Sequence, residues 1–95
     1  MRNHFIICGY SPLTDSLLHE LLKLELPYVI IEKNLSTVRD LMHHHYNVVL
    51  GDPSEQQVLE SAGLKHAKAL ITTGTDDTNV HIVLEARSLS DLPIL

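Results

Sequence analysis

The sequence predicts an α/β fold in which helices cover both faces of an open parallel sheet. Short runs of almost uninterrupted apolar residues alternate with longer segments in which apolar residues recur every three or four positions. The apolar runs are too hydrophobic for strands that expose one face to water, so both faces of the sheet must be covered. Strands that alternate with helices are joined by crossovers, and crossovers make the sheet parallel.

The first unit is a strand, a glycine turn and a helix. Residues 4–8, HFIIC, form an apolar run that ends at Gly9. From Leu13 onward the leucines follow helical spacing with polar residues between them, and Pro27 forbids further helix. We therefore predict a strand at 4–8 and a helix that begins near Leu13.

The same order recurs along the rest of the chain. Predicted strands occupy residues 28–32, 47–50 and 69–73, and predicted helices occupy about 36–44, 54–62 and 77–88. Residues 92–95 have the composition of a fifth strand that has just begun. We interpret residues 1–95 as one domain core that is a fragment of a longer chain, because a sequence that stops inside a strand leaves an unpaired edge.

Composition excludes several classes of protein. Seven basic side chains against twelve acidic ones give a net charge of −5, so the chain lacks the basic excess that neutralises nucleic-acid phosphates. Cys8 is the single cysteine, which excludes an intramolecular disulfide and suits a reducing cytosol; we expect it in the core. No apolar run approaches the roughly 20 residues that cross a bilayer, so we predict no membrane insertion by these residues.

Ligands of open parallel sheets bind outside the carboxyl ends of the strands, and here those ends are polar or contain glycine. Glu32 follows the second strand, 23 residues beyond Gly9, which is where an acidic side chain accepts hydrogen bonds from a ribose. It can equally be a solvated residue paired with Lys33. Asp52, after the third strand, either holds a base or sugar or caps the helix that starts near Ser54.

The stretch ICGYSPLTD, residues 7–15, lies where a dinucleotide-binding protein carries the motif G-x-G-x-x-G. Of the three glycines of that motif, this stretch has only the first, Gly9. Ser11 and Pro12 are a favoured N-cap and first helical residue, so a helix start capable of anion binding is preserved. Ser11 and Thr14 replace the other two glycines, and Asp15 adds a carboxylate that repels phosphate. We expect this anion site to be partly filled by its own residues, with Ser11 capping the helix and Asp15 near the free amides.

The histidines do not predict a metal site. Consecutive helical residues point about 100° apart, so the rings of residues 43–45 cannot converge on one ion while the helix continues. His81 and Glu85 share a helix face and would need a third ligand to hold a divalent ion; a hydrogen-bonded surface pair is the simpler interpretation.

The sequence resembles the RCK family, also called TrkA-N domains, which regulate potassium channels and transporters. The most specific part is Gly51-Asp52-Pro53-Ser54 followed by Leu59, Ala62 and Gly63, and the likeness extends through HFIICGYSPLTDSLLHEL, VIIEKN and TDDTNVHIVLEAR. The resemblance implies a Rossmann-like sheet of strand order 3-2-1-4-5, truncated in or after the fifth strand. It also implies a position in the cytoplasm at the inner face of the cell membrane, and homodimers or larger rings that act on a pore subunit or on a pore domain of the same chain.

The ligands that the resemblance implies are NAD(H), adenine nucleotides or divalent cations, with the identity left open here. Residues implied to line the site are Gly9, Tyr10 and Ser11 at the phosphates, Glu32 at the ribose, Asp52, Pro53 and Ser54 at the base, and Thr73 and Gly74 at the floor. The missing glycines and the absence of an arginine in the turn put phosphate contacts in doubt. We expect a non-enzymatic regulatory domain; the alternatives are an NAD-dependent oxidoreductase fragment and a ligand-free assembly module.

Overall fold

The structure, a computed structural model, describes residues 2–72 and 77–95, with the side chains of the second range described from residue 81. Strands and helices alternate as the sequence predicts. Their bounds are β1 (Phe5–Cys8), α1 (Pro12–Lys23), β2 (Tyr28–Glu32), α2 (Leu35–His43), β3 (Val48–Leu50), α3 (Gln56–Ser61), β4 (Ala69–Thr72) and α4 (Asp77–Leu89), with a 3₁₀ turn at Leu64–His66.

The sheet is parallel and has the order β3-β2-β1-β4. Ile7 in the central strand pairs with Ile30 on one side and with Ile71 on the other. At the β4 edge, Ile94 forms a parallel bridge with Leu70, and the amide of Leu95 donates to the Leu70 carbonyl at 2.8 Å. The predicted order 3-2-1-4-5 is therefore confirmed, with the fifth position taken by the last residues of the chain.

Alternate residues of the strands enter two separate cores, as the pleat of a strand requires. Ile6 and Cys8 pack with residues of α3 and α4 on one face of the sheet. On the other face, Ile7 packs with residues of α1 and α2 such as Leu18 and Leu41. Burial raises the pKa of the Cys8 thiol to about 12, so Cys8 is an unreactive core residue, as predicted.

The helices end differently from the prediction. Helix α1 stops at Lys23, before Pro27, because the chain turns left-handed at Glu25 (φ 55°) and the amide of Leu26 donates to the Leu21 carbonyl at 3.0 Å. Helix α2 ends in the same way, with His45 at φ 65°. Both are Schellman endings, which usually carry glycine at this position. The proline was therefore the wrong explanation for the end of α1.

Three element starts lie later than predicted, and for β3 the difference is one residue, since it begins at Val48. Strand β1 begins at Phe5, and His4 is fully buried beside it with its ring Nε2 donating to the Ala62 carbonyl at 2.7 Å. Helix α3 begins at Gln56 rather than Ser54, because a separate turn occupies the residues after β3. Within the described part of the chain, no helix combines the length and the apolar composition needed to cross a bilayer.

The left-handed residue after α1 generates a stability prediction. We expect Glu25→Gly to raise the free energy of unfolding by about 1 kcal/mol, because glycine adopts positive φ without steric cost. The matched control is Glu20→Gly, an exposed glutamate inside α1, which should lower the free energy of unfolding by about 1 kcal/mol. Urea unfolding measures both; a loss of stability in Glu25→Gly would contradict the explanation of the helix end.

Candidate functional site

The candidate site lies at the carboxyl edge of the sheet, where the β1–α1 loop faces the end of β2. Gly9 opens the loop with φ 87°, and a Cβ built there meets nothing within 4 Å. Glycine is therefore required for the backbone direction and not for space. The Gly9 amide donates to the Ile31 carbonyl at 2.8 Å, which keeps the loop attached to the end of β2.

Glu32 joins the two loops that leave β1 and β2. Its Oε1 accepts a hydrogen bond from the Tyr10 amide at 2.9 Å, and its Oε2 accepts one from the Asn34 amide at 2.8 Å. Among the described residues, its carboxylate has no ion pair with Lys33. Each oxygen retains a second lone pair, so Glu32 can still accept a bond from a ligand hydroxyl. The ribose role stays a prediction, and the loop contact was not foreseen.

The start of α1 is closed by its own side chains. The Ser11 hydroxyl accepts from the Thr14 amide at 3.3 Å, and the Thr14 hydroxyl accepts from the Ser11 amide at 2.6 Å and donates to the Ser11 carbonyl at 3.0 Å. These bonds form a capping box with threonine in place of the usual glutamate. The predicted cap at Ser11 is confirmed. Thr14 is 1% exposed, so its hydroxyl is a fixed part of the cap.

The loop therefore has few amides to offer an anion. The amides of Gly9, Tyr10, Ser11 and Thr14 all donate to partners within the chain, and Pro12 has no N–H. Among the described residues, the Leu13 amide has no hydrogen-bond partner within the chain, and at the other amides a phosphate would have to displace a partner. The cap bonds at Ser11 and Thr14 confirm that residues of the chain partly fill the anion site.

Asp15 has side-chain partners that the sequence did not predict. It lies in the first turn of α1, but its Oδ1 accepts from the Tyr10 hydroxyl at 2.5 Å and its Oδ2 lies 3.3 Å from Nε2 of His19. The hydrogen bond to Asp15, with a smaller contribution from burial, raises the pKa of Tyr10 to about 12. Tyr10 therefore stays a neutral hydrogen-bond donor, and Asp15 holds its ring while Ser11 caps the helix.

Asp52 organises the turn after β3. Its Oδ1 accepts from the amide of Ser54 at 2.9 Å and from the hydroxyl of Ser54 at 2.7 Å. The hydrogen bond from the Ser54 amide, with a smaller contribution from the Ser54 hydroxyl, holds the pKa of Asp52 below its usual value. The ionised carboxylate therefore stabilises the fold at pH values above the ordinary pKa of aspartate. This stabilisation is lost as the pH falls through the lowered pKa of Asp52. Asp52 caps this turn and not α3, whose N-cap is Glu55.

The other residues of the predicted site divide into three groups. Pro53 is buried in the turn, and the hydroxyl of Ser54 donates its hydrogen bond to Asp52. Gly51 is required for space, because a Cβ there would lie 2.7 Å from Cγ2 of Val58; its amide donates to the Glu32 carbonyl at 3.0 Å, which places the ends of β2 and β3 side by side. Thr73 and Gly74 lie outside the described residues.

Sequence reasoning missed Asn34 and the hydroxyl of Thr14. Asn34 caps α2 with its side chain accepting from the Thr37 amide at 3.1 Å, while its own amide binds Glu32. The S-x-x-T spacing of Ser11 and Thr14 was the signal that could have identified the capping box.

The histidine run makes local contacts. His44 donates from its ring Nδ1 to the Asp40 carbonyl at 2.7 Å, and its ring stacks on Tyr46 with centroids 6.3 Å apart. In the part of the chain that the structure describes, no three histidine, cysteine, aspartate or glutamate side chains are grouped as metal ligands.

Comparison with known proteins gives a family. Residues 5–95 match the profile of the TrkA-N domain. The chain is 32% identical over 93 residues to potassium channel protein 1 of Methanocaldococcus jannaschii, an alignment that covers 95% of this chain and 28% of that protein. It spans less than a third of the length of the curated relatives it matches most strongly.

Two solved structures share the fold over 99% of this chain. The TrkA-N domain of the inner membrane protein ybaL from Escherichia coli is 30% identical with a TM-score of 0.89, and 71% of that chain is covered. The GsuK channel bound to NAD is 28% identical with a TM-score of 0.92, and 17% of that chain is covered. With its parallel sheet, the glycine turn after β1 and the acidic residue that ends β2, this chain belongs to the TrkA-N, or RCK, domain family.

Proposed function

We propose that this chain is a cytoplasmic, ligand-sensing regulatory domain of a potassium channel or potassium uptake system. The observation that carries the proposal is the family match across residues 5–95, together with similarity to a potassium channel protein. In this proposal the domain pairs with copies of itself, as a homodimer or a larger ring at the inner face of the membrane. A change of shape on ligand binding is passed to a pore in the same chain or in a separate subunit.

The proposed ligand is NAD(H) or an adenine nucleotide. Support comes from the GsuK channel, whose structure contains NAD, and from the position of Glu32 at the end of β2. The free lone pairs of Glu32 would accept the ribose hydroxyls, and the turn at Asp52 would lie beside the base. Gly9, Tyr10 and Ser11 would face the phosphates.

The hydrogen bonds of the β1–α1 loop indicate which part of the ligand supplies the affinity. A phosphate gains little at the amides of Tyr10, Ser11 and Thr14, which already have partners, since exchanging one hydrogen bond for another yields a small net free energy. Asp15, in the first helical turn, adds charge repulsion. In this proposal the ribose and the base dominate binding, and the phosphates contribute little.

A second candidate function is ligand-free assembly. The specific observation in its favour is the same loop, in which the amides of Tyr10, Ser11 and Thr14 have partners within the chain and need no ligand. In that role the nucleotide-binding scaffold would be kept for the surfaces it presents to other copies. Measurements of ligand binding separate the two candidates.

Potassium transport tests the proposed function. The gene that encodes this chain, expressed together with its pore subunit where that is a separate protein, should restore growth in low potassium to bacteria that lack potassium uptake. Glu32→Gln should change the potassium requirement while leaving protein abundance equal. The matched control is Glu60→Gln, an exposed glutamate on α3. Unaltered growth in every strain would reject the potassium role.

Nucleotide affinity tests the assignment of Glu32. We expect Glu32→Gln to weaken NADH and adenosine binding about tenfold, since a charged acceptor makes the stronger hydrogen bond to a ribose hydroxyl. Asp15→Asn should change the affinity little. Isothermal titration calorimetry on both variants measures this. If Asp15→Asn strengthened NADH binding strongly while Glu32→Gln had no effect, the site would be phosphate-centred and the assignment wrong.

Restoring the two glycines tests whether the cap blocks phosphate. The double variant Ser11→Gly with Thr14→Gly should lower the free energy of unfolding by at least about 1 kcal/mol, because the capping box and a buried side chain are lost. It should also gain a larger rise in melting temperature from NADH or ATP than the wild type does. A wild type strongly stabilised by either nucleotide, with no further gain in the variant, would show that the missing glycines never mattered.

A further inference from the structure

A second cleft lies on the face of the sheet that α1 and α2 cover. It has a volume of about 380 Å³, within the range of roughly 300 to 1,000 Å³ of small-molecule sites. Tyr10 and Tyr46 are partly buried against the core of this face. The residues that line the cleft are Tyr10, Thr37, Asp40, Leu41, His44 and Tyr46.

Helix α2 supplies most of the lining from one side. Residues 37, 40, 41 and 44 follow the i, i+3, i+4, i+7 spacing of a single helix face. Leu41 is buried and gives this face its apolar part. The ring of His44 stacks on Tyr46 at an angle of 26°, so the cleft has flat aromatic surface beside the helix.

The cleft offers hydrogen-bond acceptors to a ligand, while the hydroxyls of Thr37 and Tyr46 can either donate or accept. The Nδ1 of His44 donates to the Asp40 carbonyl at 2.7 Å, which leaves Nε2 of the neutral ring as an acceptor. The hydroxyl of Tyr10 donates to Asp15 and is therefore not available as a donor. The lining contains one carboxylate and neither lysine nor arginine, and among the described residues the Asp40 carboxylate has no ion pair.

We propose that this cleft binds a small, planar, cationic ligand that combines an aromatic ring with N–H donors, of the arylamidinium or aromatic amine class. The flat surface of Tyr46 and His44 suits the ring, and the carboxylate of Asp40 with Nε2 of His44 suits the positively charged donors. The proposal does not rest on nucleotide binding, because the cleft uses α2 and Tyr46 and not the carboxylate of Glu32.

Benzamidine and its neutral counterpart benzamide test the proposal on this chain by NMR titration. We expect benzamidine to shift the amide signals of Tyr10, Asp40, Leu41 and Tyr46, and to bind about tenfold more tightly than benzamide, because the charge and the paired donors are lost in the amide. Asp40→Asn should weaken benzamidine about tenfold. Asp91→Asn, an exposed aspartate outside the cleft, should leave the affinity unchanged.

Several outcomes would overturn the proposal. These are equal binding of benzamide and benzamidine, unchanged binding in Asp40→Asn, an equal loss in Asp91→Asn, or no shift of the cleft amides at the highest soluble benzamidine concentration. A separate titration with NADH distinguishes the proposed nucleotide site from the cleft. If benzamidine bound and NADH did not, the proposed nucleotide site would be rejected and the cleft proposal would stand.

Discussion

The burial of β1 on both faces and along both edges is the constraint on which the rest of the structure depends. Its residues pair with β2 and β4 in the same register, and alternate side chains enter the two cores. Such a strand must be apolar throughout, which is why Ile6, Ile7 and Cys8 are all inside. Polar groups are thereby restricted to the strand ends, and the loop that leaves β1 becomes the place where chemistry is possible.

At this loop, the carboxylate of Glu32 stabilises the fold without any bound ligand. It holds the amide of Tyr10, while the hydroxyl of Tyr10 is held by Asp15 in the first turn of α1. Tyr10 thus has its backbone at the carboxyl edge of the sheet and also lines the cleft beside α2. A ligand that took Glu32 away from Tyr10 would loosen a residue shared by both surfaces.

The sequence was sufficient for features set by local pattern and insufficient for those set by tertiary placement. Apolar periodicity identified the strands, the family resemblance supplied their order, and the Ser-Pro pair identified the cap at Ser11. The left-handed turns at Glu25 and His45 carry no glycine and therefore gave no signal. The partners of Glu32 and Asp15 depend on how the loop folds back onto β2 and α1, which spacing alone does not determine.

The family motif itself shows why motif residues and ligand residues must be argued separately. Gly51 is explained by the close approach of Val58, and Asp52 by the turn it closes with Ser54, without reference to a nucleotide. A ligand that took Oδ1 of Asp52 would exchange with internal hydrogen bonds of about equal strength, so such a contact adds little net free energy. In the proposed nucleotide site, affinity would then come mainly from the base and from the ribose at Glu32. Weak, reversible binding of this kind allows a regulatory domain to follow changes in ligand concentration, because a site that is always saturated reports nothing.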